Sequence, residues 1–122
     1  MKITRIYDDN GQSRFTDIDI SLNPIEPMLG VSGFRMSAPF AAGECIIISS
    51  PPCVMEQHAA PRRQMAIILS GEAEIETSDG NTRCFRPGDM FLADDTTGSG
   101  HITHCLTDLT TLFVPVWPAF PA

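Results

Sequence analysis

Four side chains stand out for the chemistry their types allow: Glu56, His58, Gln64 and His101. The first three fall in one short stretch, Glu-Gln-His-Ala-Ala-Pro-Arg-Arg-Gln, which opens the apolar run Met65 to Leu69 and stops at Ser70-Gly71. Two imidazoles and a carboxylate suit Fe(II), Mn(II) or Zn(II), with Gln64 adding a neutral oxygen or orienting a water. The same residues have a metal-free reading. Glu56 would then be a solvated partner of Arg62 or Arg63, a pairing that contributes little. His58 and Gln64 would be hydrogen-bonding groups in a small-molecule pocket. Both readings stay open at this point.

Whether these groups meet depends on the elements that carry them. An apolar run closed by a glycine reads as a buried strand, and residues two apart on a strand share a face. Glu56 and His58 are therefore expected to face one way, and Gln64, Ala66 and Ile68 to share another face, with Ala66 and Ile68 as pocket wall. Arg62 and Arg63 alternate, so at most one of them points into the pocket, where it would clamp a carboxylate or phosphate. His101 follows Gly98-Ser99-Gly100, where small residues let backbones approach closely. His104 lies three residues on and faces the other side. Asp95 either accepts a hydrogen bond from His58 or His101 and orients the ring, or caps backbone N–H groups of its own loop.

Period-two segments recur along the whole chain. Ser13 to Leu22 alternates Ile18, Ile20 and Leu22 against Phe15, Asp17 and Asp19, and Glu72 to Thr77 alternates glutamates against Ala73 and Ile75. Asp9-Asn10-Gly11, Ser78-Asp79-Gly80-Asn81 and Pro87-Gly88-Asp89 are turns. Met1 to Asp8 reads as an edge or intermolecular strand. Residues 28 to 44, broken by Gly30, Gly33, Pro39 and Gly43, are expected to form short strands and loops. Many short strands and no amphipathic helix predict an all-β sandwich or barrel with little or no helix.

With 122 residues the chain is read as one domain spanning 1–122. Its net charge of −7 opposes nucleic acid and anionic membrane surfaces as partners. Cys45, Cys53, Cys84 and Cys105 are widely spaced, and no export signal opens the chain, so free thiols and a cytoplasmic location are expected. No apolar stretch approaches a membrane span.

The spacing His58-x5-Gln64-x6-Gly71, followed by Gly80, Pro87-Gly88-Asp89 and His101, resembles the two sequence motifs of the cupin superfamily. Glu56 stands where the first motif has its first His, and Gln64 replaces its Glu. The resemblance covers about residues 43–115 and implies a small RmlC-like jelly-roll β-barrel. It also implies a divalent metal (Fe, Mn, Zn or Ni) at Glu56, His58, Gln64 and His101. Asp-Thr-Thr-Gly-x-Gly-His and Ala-Pro-Arg-Arg-Gln are similar to stretches of small stand-alone cupins of undefined function. Isomerase, dioxygenase, cyclase or lyase chemistry on a small organic metabolite is the expectation, with a metal-free binding barrel as the alternative. A homodimer is expected, with the N-terminal strand and the proline-rich tail at its interface.

Overall fold

A computed structural model describes residues 1–118 and 120. The alternating segments become twelve strands: β1 Lys2–Asp9, β2 Gln12–Asp19, β3 Asn23–Pro24, β4 Arg35–Met36, β5 Ile46–Ser50, β6 Cys53–His58, β7 Gln64–Ser70, β8 Ala73–Thr77, β9 Thr82–Phe85, β10 Met90–Asp94, β11 His101–Cys105 and β12 Leu109–Pro115. No helix occurs among the described residues. A six-stranded sheet, ordered β2-β1-β10-β7-β12-β5, faces a four-stranded one, ordered β6-β11-β8-β9, while β3 and β4 pair only with each other.

The core between the two sheets follows from the period of two. Ala66, Ile68, Phe91, Ala93 and Leu109 of one sheet meet Ala73, Ile75, Phe85 and Cys105 of the other. Phe85 and Phe91 bridge the sheets with ring centroids 4.7 Å apart. A second cluster lies on the far side of the larger sheet, where Ile20, Val116 and Phe120 cover Ile3, Met65 and Leu92. This double cover explains why β7 reads as a continuous apolar run: Met65 and Ala66 are both buried although they face opposite sides.

Two expectations are corrected here. β1 is not an edge or intermolecular strand. It lies inside the larger sheet, antiparallel to β2 and parallel to β10, in register from Thr4 opposite Phe91 to Tyr7 opposite Asp94. Its alternation is weak because Ile6 packs between the sheets while Ile3 packs on the far side. Arg63, one of the two candidate pocket arginines, belongs to the framework. Its Nε donates to Asp94 Oδ1 at 3.0 Å, its Nη1 to the Trp117 carbonyl at 2.6 Å, and its Nη2 to the Phe120 carbonyl. Arg5 donates to the other oxygen of the same carboxylate. One guanidinium thus ties the C-terminal segment to the sheet; of the tail, residues 119, 121 and 122 lie outside the described residues.

Cys53 and Cys105 sit directly opposite each other on β6 and β11. Burial, with the Cys53 thiol beside it, pushes the Cys105 thiol up from 9.0 to about 11. A raised value means that folding favours the neutral thiol. The resulting stabilisation is complete below the unfolded value and is lost as pH rises through the folded one. The melting temperature is therefore expected to fall between pH 9.0 and about 11, and less so in Cys105→Ala. An unchanged profile in that variant would assign the fall to another group. Arg63→Ala removes charge-assisted hydrogen bonds of about 1.5–3 kcal/mol each at full strength. It is expected to lower stability by about 2 kcal/mol in urea unfolding, with Trp117 emission changing before the main transition.

Candidate functional site

Between the sheets lies a cavity of ≈ 390 Å³. Ile68, Ile75, Phe91, Phe113 and Leu109 form apolar walls, and His58, Gln64, His101 and Arg62 supply its polar groups. The strands place them by parity. Gln64 and Ile68 come from one face of β7, Ala73 and Ile75 from one face of β8, and Leu109, Thr111 and Phe113 from one face of β12.

The two histidines come from segments far apart in the chain and meet because β6 pairs with β11. His58 is opposite His101, with ring centroids 5.7 Å apart. The register shifts between His101 and Thr103: His101 faces His58, but Thr103 faces Met55. Three steps on β6 thus match two on β11, which is a bulge of one residue. Met55 and His58 both line the cavity as a result, although strict alternation would put them on opposite sides.

That bulge corrects the placement of Glu56. Its side chain is exposed and does not line the cavity. What Glu56 supplies is its carbonyl oxygen, 2.6 Å from His58 Nδ1. A carbonyl only accepts, so His58 carries a proton on Nδ1, and in the neutral ring its Nε2 has a lone pair. His101 Nδ1 lies 2.6 Å from Asp95 Oδ2, which again puts the proton on Nδ1. Asp95 is fully buried behind the ring, outside the cavity wall, and its Oδ1 is buried with no hydrogen-bond partner among the described residues. A buried carboxylate in this position fixes the ring's orientation and would stabilise the imidazolium if Nε2 accepted a proton.

Of the other candidates, Gln64 is buried and lines the cavity, as do Ile68 and the exposed Arg62. Ala66 shares their face but is fully buried in the core without reaching the cavity. Arg63 points to Asp94 and the tail, as described above. Among the described residues no three His, Cys, Asp or Glu side chains come together as a metal ion would need. Residues missed by sequence reasoning include Met55, Phe91, Phe113, Thr103 and Thr111; period-two spacing within β10, β11 and β12 was the signal for all of these but Met55.

Gly100 holds the constellation together. It is buried with φ 72°, and a Cβ there would overlap the carbonyl of His58. Only a glycine lets the loop pass so close to the end of β6.

A model of the EutQ-like cupin domain matches residues 38–108. The chain belongs to that family. Among solved structures, this cupin is similar to a putative ethanolamine utilization protein Q from Salmonella typhimurium LT2. The two are 15% identical, with 83% of this chain and 97% of that one covered and a TM-score of 0.50. It is also similar to a conserved SPY1581 protein of unknown function from Streptococcus pyogenes, at 26% identity over 69% of this chain and 70% of that one, with a TM-score of 0.49. No curated protein matches the chain. The first likeness shows the all-β, cupin-like fold alone. No helix among the described residues is long and apolar enough to cross a membrane.

Gly100→Ala is expected to destabilise this cupin by about 1–3 kcal/mol, the usual range for a strained backbone position. It should also shift the His58 ring resonances, because the new methyl displaces the His58 carbonyl. A melting temperature and a His58 spectrum both matching the parent protein would show that the loop does not press on β6.

Proposed function

We propose that this cupin is a metal-independent binding barrel for a small, largely apolar organic acid. The observation that carries the reading is the cavity itself: ≈ 390 Å³, with aliphatic and aromatic walls, three hydroxyls, and its ionisable and amide groups confined to His58, His101, Gln64 and Arg62. Pockets for small organic molecules have this composition, with apolar area giving affinity and a few polar groups fixing orientation. An acid suits the polar set. Arg62 is cationic, Gln64 offers N–H donors, and the Nε2 lone pair of His101 can take the acid's proton, with Asp95 behind the ring to hold the imidazolium that forms.

The donor set weighs against a resident Fe or Mn ion. Glu56, the carboxylate of the ligand set inferred from sequence, faces away, and Asp95 is engaged by His101. What is left in the cavity wall is two imidazoles, a carboxamide, three hydroxyls and the guanidinium of Arg62. Non-haem iron sites add a carboxylate to two histidines, and manganese prefers oxygen anions. The residues present do not fit such a centre, so no step of the reading passes through a metal.

Titration with octanoate and phenylacetate tests it. Micromolar to millimolar binding is expected, with resonance shifts at Ile68, Ile75 and His101 and about tenfold weaker binding in Arg62→Ala or His101→Ala, equivalent to ~1.4 kcal/mol. Protein purified without a histidine tag should hold well under one metal per chain. Two results would overturn the proposal. One is no binding of either acid. The other is a full equivalent of metal that survives dialysis and disappears in a His58→Ala, His101→Ala double variant.

A further inference from the structure

The hydroxyls in the cavity wall belong to Ser50, Thr103 and Thr111. Two of these residues are buried, with Thr103 9% and Thr111 4% exposed. A hydroxyl among apolar walls carries a cost unless something bonds it. Thr77, also buried, is satisfied within the protein, where its hydroxyl donates to Asp79 Oδ1 at 2.6 Å. Thr103 is placed differently. On β11 it stands between Ile75 of β8 and Met55 of β6, and neither offers a strong hydrogen-bonding group. Valine has nearly the same shape and would line an apolar tail without that cost. A threonine here makes physical sense when a ligand supplies the partner.

The strands fix where that partner sits. Only residues 59–63 separate His58, which ends β6, from Gln64, which opens β7, so both sheets present their polar groups at one end of the cavity. Thr103 lies two residues in from His101, and β11 stays in unbroken register with β8 over that step. Two residues of strand span about 6.8 Å. The other two hydroxyls lie toward the opposite end. Pro115 of β12 pairs with Gln64, but Thr111 pairs with Ile68, and Leu109 with Ser50. One step in from Gln64, the larger sheet places Phe91 and Phe113 on either side of Ala66, so two aromatic rings form its wall there. Phe91 is held in turn by Phe85. Aromatic walls favour another ring, offset or edge-on. The sulfur of Met55, on the other sheet, suits a ring edge.

We propose that the ligand of this cavity is an aromatic acid with a hydroxyl at the far end of its ring, the carboxyl group held among His101, Gln64 and Arg62 and the ring hydroxyl bonded to Thr103. The inference rests on the acid-binding reading above and adds the ring and its substituent. A para-substituted ring is rigid and holds its two polar groups at close to the separation of His101 from Thr103. Both are then bonded without the ordering of a flexible chain. Thr103 is the residue that sets specificity. An acid lacking the hydroxyl fills the same space but leaves the threonine unpartnered, which is how a polar site rejects such an analogue.

Calorimetric titration with octanoate, phenylacetate and 4-hydroxyphenylacetate tests this. The hydroxylated acid is expected to bind the parent protein about tenfold tighter than phenylacetate. Thr103→Val should make the two ring acids bind alike, and Thr103→Ser, which restores a hydroxyl, should bring the preference back. The comparison on the parent protein needs no folded variant. Equal binding of the two ring acids there would overturn the inference and leave the acid-binding barrel standing, as would binding of octanoate alone. A preference that persists in Thr103→Val would also overturn it. Binding of none of the three acids would overturn both readings.

Discussion

The site depends on the pairing of β6 with β11. One extra residue in β6 turns His58 toward His101 and turns Glu56 outward. A strand with regular alternation would have kept Glu56 and His58 on one face and presented a carboxylate beside two imidazoles. The bulge leaves the cavity without that carboxylate, and Gly100 passes close beside the His58 carbonyl. The chemistry open to the cavity is therefore decided by backbone geometry as much as by residue type.

Both imidazoles are held from behind. A backbone carbonyl fixes one and a fully buried carboxylate fixes the other, and in the neutral rings each leaves the far nitrogen with a lone pair. Around them the walls are apolar, and a polar group in such surroundings must find a partner or carry a cost. Two basic nitrogens, a carboxamide and Arg62 at the edge of an apolar space form an environment that a small acid would satisfy. The charges nearby that do not face the cavity serve the framework: Asp94 is shared between Arg5 and Arg63, and Arg63 continues to the C-terminal segment.

Much of this was legible in the sequence because it rests on local period and turn chemistry. The alternation of β8, the Asp79-Gly80 turn, the shared face of Gln64 and Ile68, and the close approach at Gly100 all follow from residue types at fixed spacing. The side taken by Glu56 was not legible, since a bulge reverses parity without leaving a local mark in Cys53–His58. The role of Arg63 depends on two carbonyls more than fifty residues away. The isoleucine run of β5 is apolar throughout, yet all three side chains are exposed at a sheet edge. Composition reports that a strand is apolar; only topology reports what, if anything, lies against it.

The central claim is that two imidazoles converge in one apolar cavity, each protonated at Nδ1. Nitrogen-15 long-range correlation spectra of the histidine rings, with nuclear Overhauser contacts between them, measure this directly. At neutral to alkaline pH the rings of His58 and His101 are expected to show the Nδ1–H tautomer and a contact between their carbon-bound protons. An Nε2–H tautomer at either ring, or the absence of any contact between them, would contradict the account.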